Sequence, residues 1–219
     1  MKAIILLSGG IDSTVLLALA LERGLDCSGL SFDYGQRHLV ELNSARAICQ
    51  YYKIPQNIIT IDPQVFGVST LLKSQISQPV PTGSPEEIRL AGIPSTYVPA
   101  RNTLFLSYAL GIAEISGAEE IHFGMNLQDR FGYPDCRPAF IEAFKKVAEL
   151  ATKQAVESIS PKIVTPLQDW DKARIISEGM RLNAPLELTH SCYNPTKAGL
   201  QCGKCNSCVL RNEGFANYL

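Results

Sequence analysis

The sequence predicts an α/β protein: a doubly wound, parallel five-stranded sheet with helices on both faces, followed by a metal-binding loop near the C-terminus. Three observations predict it. Short apolar runs alternate with longer helix-like segments, the order of a parallel sheet covered by crossover helices. The first run, Ala3 to Leu7, leads at once into the glycine turn SGGIDS and then into a helical stretch. Four of the seven cysteines, Cys192, Cys202, Cys205 and Cys208, crowd together after residue 190.

Each element has its own signal. Ala3 to Leu7 is the first strand, Ser13 to Arg23 the first helix, and Gly24 its stop. Cys27 to Phe32 is the second strand, and Arg37 to Lys53 an amphipathic helix ended by the approach to Pro55. Asn57 to Ile61 is the third strand. From 62 to 100 the chain carries Pro63, Pro79, Pro81, Pro85, Pro94 and Pro99, which reads as a long insertion and a mobile lid over a site. The alternation resumes with helix Thr103 to Ser116, a stop at Gly117, and strand Glu120 to Gly124. A glycine- and proline-bearing loop reaches Arg137, and Pro138 opens a helix that runs to about Glu157. Lys162 to Thr165 is the fifth strand and Lys172 to Leu182 the next helix; the remainder is a cysteine-rich tail.

Composition bounds the function. At 219 residues and 46% apolar content the chain can bury the core of one α/β domain with a small appendage, expected as a body over 1–185 and a cysteine region over 186–219. Twenty Lys and Arg against 21 Asp and Glu leave a net charge of −1, so no overall basic field would hold nucleic acid or an anionic membrane. The start MKAIILLSGG is too short for a signal peptide or a membrane span, so the expected location is cytoplasmic. An odd cysteine count with one tight cluster argues for a metal over a disulfide framework. Cys136 reads as a small buried residue and His122 as core, while His190 is either a neighbour of the metal loop or without special role.

A glycine turn between a strand and a helix exposes unpaired backbone N–H groups and the positive end of the helix dipole, which together attract an anion. Gly9 and Gly10 would let a phosphate close to the backbone. The plainer reading makes Ser8, Asp12 and Ser13 turn and N-cap residues. The sequence has neither GxGxxG nor the mononucleotide loop GxxxxGK with its lysine.

At its fixed positions, with Ile11 at the variable one, SGGIDS resembles the SGGxDS pyrophosphate loop of the ATP pyrophosphatase, or N-type PP-loop, superfamily. The resemblance implies an adenine nucleotide alpha hydrolase-like fold, cleavage of ATP between the α and β phosphates, and Mg²⁺. It places ATP against Leu7, Ser8, Gly9, Gly10, Ile11, Asp12, Ser13, Thr14, Val15, Leu16 and Leu17, with Ser8, Asp12 and Ser13 in catalytic roles. Lys172 resembles a lysine that relatives place near the phosphates. The missing loop lysine fits, because backbone donors and Mg²⁺ can stabilise a departing pyrophosphate.

Three further stretches, FDYGQRH at 32–38, VPARNTLFLS at 98–107 and GYPDCR at 132–137, occur in this order in the 7-cyano-7-deazaguanine synthase family. With the cysteine tail the resemblance extends from Lys2 to Tyr218. One departure is Phe131, where the family commonly has serine before GYPDCR. On their own the polar residues of these stretches suit loops and caps, Arg101 and Asn102 among them. As ligand residues they would lie at the carboxyl ends of strands, where open α/β sheets bind ligands. The resemblance makes Tyr34, Gln36, Arg37, Arg101, Asn102, Tyr133, Asp135 and Arg137 the substrate pocket, Asp and Arg pairing with the edges and carboxylate of a deazaguanine.

In SCYNPTKAGLQCGKCNSC, Cys202, Cys205 and Cys208 are spaced CxxCxxC and Cys192 lies across a Pro- and Gly-bearing loop, so four thiolates can close a tetrahedron. The same spacing also suits an iron–sulfur cluster. The resemblance implies Zn²⁺ in a structural site. It further implies an ATP-dependent ligase acting on 7-carboxy-7-deazaguanine and free ammonia, with two activations at one site in queuosine precursor biosynthesis, and a homodimer. Two rivals are a tRNA-modifying pyrophosphatase, which needs a basic RNA surface, and a zinc-bearing regulator, which lacks a finger or helix-turn-helix pattern.

Overall fold

The computed structural model describes residues 1–90, 92–158 and 160–218; Ala91, inside the 62–100 insertion, lies outside the described residues. The chain runs β1 (Lys2–Leu6), α1 (Ile11–Glu22), β2 (Asp26–Asp33), α2 (Val40–Tyr52) and β3 (Gln56–Thr60). It continues through α3 (Pro85–Leu90), α4 (Arg101–Ser116), β4 (Glu120–His122), α5 (Asp129–Gly132), α6 (Pro138–Leu150) and α7 (Lys153–Glu157). It ends with β5 (Lys162–Val164), α8 (Lys172–Arg181) and α9 (Asn206–Asn217).

The five strands form one parallel sheet in the order β3-β2-β1-β4-β5. The first three strands wind outward in one direction; α4 then carries the chain back past β1 to start β4 on the other side. The order reverses between β1 and β4, and in open parallel sheets that reversal opens a crevice at the carboxyl ends of the strands. Helices cover both faces, which is why β1 is apolar at successive positions instead of alternating. Ala3, Ile5 and Leu7 pack with residues of α1, α2 and α8, while Ile4 and Leu6 pack with α4 and α6.

The expectations hold closely for the sheet and less well elsewhere. Strands β1 to β3 fall within a residue of their expected limits, and β4 and β5 stop short of theirs. Helix α2 starts at Val40 and not at Arg37, because Gln36 folds back: its Nε2 donates to Phe32 O (3.0 Å) and its Oε1 accepts from Tyr34 N (2.8 Å). The single helix expected over 138–157 is two, since Thr152 accepts from Ala155 N and caps a new start. The tail contains α9, which no sequence signal announced. Nor is the whole 62–100 insertion a loose cover. Phe66, Leu71, Leu72 and Val98 belong to the core under it, and the Arg37 guanidinium donates to the carbonyls of Thr70 (3.1 Å), Gln78 (2.9 Å) and Ile76.

Candidate functional site

The crevice at the β1/β4 reversal opens into a cavity of about 290 Å³. The SGGIDS turn forms its floor at one end. Gly9 has φ +87° and lies against α2: a Cβ there would stand 2.2 Å from Glu41 O and 2.7 Å from Ala45 N, so only glycine lets α2 pack on this turn. Gly10, at φ −83°, is the N-cap of α1, and no side chain caps that helix. Ser13 Oγ (3.1 Å) and Thr14 Oγ1 (2.8 Å) both turn back to donate to Gly10 O, and Ser8 Oγ accepts from Gly10 N (3.3 Å). Asp12 and Ser13 are therefore not capping residues, and the first amides of α1 face the cavity with the helix dipole behind them.

Lys172 opens α8 and reaches across to Asp12, its Nζ 2.6 and 2.7 Å from the two carboxylate oxygens. Asn126 Nδ2 donates to the same carboxylate (2.9 Å), and Asn126 N donates to Asp129 Oδ2 (3.1 Å). Asp129 is pushed up to about 6, first by burial and then by the charge on Asp12. One end of the cavity thus gathers the turn after β1, the loop after β4 and the start of α8.

The other end is aromatic and cationic. Arg101, at the start of α4, donates to Tyr34 OH (3.3 Å) and lies 5.7 and 5.8 Å from the Tyr34 and Phe105 ring centres. Among the described residues its Nε is buried without a partner, an unsatisfied donor at the edge of the cavity. Glu41, from the first turn of α2, lines the same end, its carboxyl pushed up to about 7 by burial. Tyr133 OH is 3.0 Å from Thr96 Oγ1, and the ring stacks against Tyr97.

Of the expected residues, Ser8, Gly10, Asp12, Ser13 and Lys172 line one end, and Tyr34, Gln36, Arg37, Arg101, Asn102 and Tyr133 line the remainder. Leu7 and Ile11 also border the cavity. Thr14, Val15, Leu16 and Leu17 are buried in the packing around α1 and do not line the cavity. Asp135 and Arg137 are not brought to the cavity. Asp135 is buried with Oδ2 accepting from Asn102 N (2.9 Å), so it caps α4; Arg137 is exposed at the start of α6. Asn102 donates to Cys136 Sγ (3.2 Å), and burial pushes that thiol well up, which suits packing and not nucleophilic attack. His122 is core, its Nε2 2.7 Å from Glu120, which Arg23 also grips. Phe131 is half exposed. Sequence reasoning missed Glu41, Asn126, Asp129, Tyr193 and Arg211, all lining the cavity. For Asn126 and Asp129 a signal existed, since polar residues just after a parallel strand sit at the crevice.

The four sulfurs of Cys192, Cys202, Cys205 and Cys208 lie within 4.8 Å of one another. Two pairs, Cys202 with Cys208 and Cys192 with Cys205, are 4.0 Å apart. A single tetrahedral ion with bonds of about 2.3 Å requires about 3.8 Å between sulfurs. Backbone N–H groups of Cys202 and Asn194 donate to Cys192 Sγ (3.2 and 3.3 Å), that of Cys205 to Cys202 Sγ (3.4 Å) and that of Tyr193 to Cys205 Sγ (3.4 Å). Such donors stabilise thiolates, and the set fits a metal ion. Among the described residues no helix is long and apolar enough to cross a membrane.

Comparison with known proteins agrees with this architecture. The chain is 50% identical over 98% of its length, and 92% of the relative's, to 7-cyano-7-deazaguanine synthase of Saccharophagus degradans. It is 47% identical over 98% of its length to the enzyme of that name from Leptospira interrogans, covering 86% of it. Among solved structures, NMN synthetase from Francisella tularensis superposes with a TM-score of 0.51 at 20% identity, over 94% of this chain and 69% of that one. The U34-tRNA thiolase NcsA from Methanococcus maripaludis with its 4Fe–4S cluster gives 0.51 at 16% identity, over 98% and 64%. These two share the fold. The model for queuosine biosynthesis protein QueC matches residues 2–219, and with relatives at this identity over nearly the whole length the chain belongs to the QueC family.

Proposed function

We propose that this chain is an ATP-dependent ligase that converts 7-carboxy-7-deazaguanine and ammonia to 7-cyano-7-deazaguanine. The observation that carries the reading is the cavity itself, which runs from uncapped helix amides to an aromatic end where Arg101 has an unpartnered Nε. The named relatives support the same chemistry. A planar bicyclic base would lie on Tyr34 and Phe105, with Arg101 holding its carboxylate toward the phosphate end.

The carboxylate oxygen attacks the α phosphorus of ATP, and pyrophosphate departs onto the amides of α1. Ammonia adds to the acyl adenylate and AMP leaves, giving the primary amide. The amide oxygen attacks the α phosphorus of a second ATP, a second pyrophosphate departs, and loss of both N–H protons with departure of the oxygen on AMP leaves the nitrile. Ser8, Asp12, Ser13 and Lys172 serve the phosphate end. Asp12 and Asp129 offer the oxygen donors that would hold Mg²⁺, which when bound neutralises phosphate charge. Cys192, Cys202, Cys205 and Cys208 would hold Zn²⁺ as a structural ion. Their close spacing favours one ion over an iron–sulfur cubane, in which each cysteine binds a different iron and the sulfurs stand farther apart. Pyrophosphate release from Mg-ATP tests the function: it should require 7-carboxy-7-deazaguanine with ammonium, and tRNA should not replace them. Release driven by tRNA would move the activity to RNA modification.

A further inference from the structure

Beyond the α1 amides and bound Mg²⁺, a departing pyrophosphate is stabilised further by fixed positive charge at the phosphate end of the cavity. Lys172 is neutralised by Asp12, and Asp129 adds a further carboxylate, so the residues discussed above would meet a pyrophosphate without a free fixed cation. The other cationic side chains lining the cavity can be followed one by one. Arg37 is engaged by three carbonyls of the insertion. Arg101 stands at the aromatic end, and His38 and His190 carry no fixed charge. Arg211 remains.

Its position follows from how α9 packs. Gly214 lies against Lys172: a Cβ there would be 2.5 Å from Lys172 Cγ and 2.8 Å from Ile176 Cδ1. Arg211 is three residues earlier on the same helix face, so it emerges beside Lys172 and lines the cavity with Gly10 and Asp12. Its Nη1 donates to Thr189 Oγ1 (2.8 Å) and its Nη2 to Leu186 O (3.4 Å). A guanidinium has further N–H donors beyond these two. The segment it grips also meets the phosphate turn, since His190 N donates to Gly9 O (2.9 Å). His190 is only 8% exposed, lines the cavity, and has a buried Nε2 with no partner among the described residues, a second unsatisfied polar group at this end.

We propose that Arg211 is the fixed cation for the departing pyrophosphate, supplied from the C-terminal helix in place of the lysine that the glycine turn lacks. The α1 amides and Arg211 then hold the β and γ phosphates from two sides. This rests on reading SGGIDS as the pyrophosphate site, and not on the identity of the base. Binding of Mg-ATP, magnesium pyrophosphate and AMP would be measured by calorimetry for the wild type, Arg211→Ala, Arg211→Gln and Arg211→Lys, with melting temperature and metal content alongside. ATP and pyrophosphate should weaken on the order of 10- to 100-fold in the Ala and Gln variants, with partial recovery in Lys, while AMP affinity changes less than about twofold. A Gln variant that binds pyrophosphate like the wild type would show that the positive charge at 211 is not what holds it and overturn the proposal. Equal losses for AMP and pyrophosphate would also overturn it. If the wild type bound ATP but not pyrophosphate, the reading of the turn would fail and this inference with it.

Discussion

Gly9 and Gly10 are adjacent and chemically identical, yet the structure separates their roles by where a methyl group would go. At Gly9, φ is +87° and the new Cβ would stand 2.2 Å from Glu41 O, where 3.4 Å or more is ordinary. Helix α2 would have to retreat by about 1 Å, and it brings the fully buried Ala45 and Ile48 into the core beside β1. The left-handed backbone costs an alanine about 1–2 kcal/mol and the overpacking about 1–3 kcal/mol. The two together come to about 2–5 kcal/mol, so at roughly 2–4 °C per kcal/mol for a domain of this size Gly9→Ala should lower Tm by about 4–20 °C. Gly10 is extended, and the atoms nearest its Cβ would be Ser8 Oγ (3.5 Å), Ser191 Oγ (3.7 Å) and His190 O (3.8 Å), all at ordinary contact distance. Gly10→Ala should therefore change stability by less than about 1 kcal/mol. The methyl intrudes where a phosphate would approach the α1 amides, so ATP affinity should fall at least about tenfold. Thermal unfolding and ATP calorimetry on both variants check this. A Gly9→Ala protein that melts like the wild type, or a Gly10→Ala protein that binds ATP normally, would refute the reasoning.

Asp12→Asn should keep the fold and abolish ATP turnover, because it removes the carboxylate that Lys172 and Asn126 share; near-normal pyrophosphate release would contradict this. Gly214→Ala pushes a Cβ into the Lys172 stem, so turnover should drop together with stability, and an unchanged rate would mean that Lys172 is not needed where it lies. Purified protein should hold about one zinc per chain without a visible absorption band, and Cys205→Ser should cost stability more than ATP affinity; brown protein with stoichiometric iron would exclude the zinc assignment. Glu41 has its pKa raised from 4.5 to about 7, so its contribution to stability is full below the unfolded value and is lost as pH rises through 7. Chemical denaturation between about pH 5 and 8 should show wild type losing stability relative to Glu41→Gln, and parallel curves would remove Glu41 from the buried end of the cavity.

The centre of the sheet was legible because a strand covered on both faces must be apolar at successive positions, and β1 is; β2 and the edge strand β3, QNIIT, are mixed and were legible from their alternation with helical segments. The four cysteines were legible because their spacing alone brings the sulfurs together, whereas SGGIDS by itself also suited a turn and cap, and its phosphate role came from its resemblance to a known loop. What escaped was assembled only by packing. Arg211 reaches the cavity because Gly214 lets α9 lie on Lys172, and NSCVLRNEGFAN mixes apolar and polar residues without a clear period. Glu41 matters because α2 rests on Gly9. Within GYPDCR, Tyr133 reaches the cavity while Asp135 does not, because the fold uses Asp135 to satisfy the exposed amides of α4, and that demand is visible only once the two segments meet.

The stoichiometry of ATP use tests the central claim most directly. With 7-carboxy-7-deazaguanine, ammonium and Mg-ATP, two AMP and two pyrophosphate should appear for each nitrile formed, and one of each when the primary amide is supplied instead. A nitrile formed from the carboxylate with a single AMP, or AMP released without nitrile in the presence of both substrates, would contradict it.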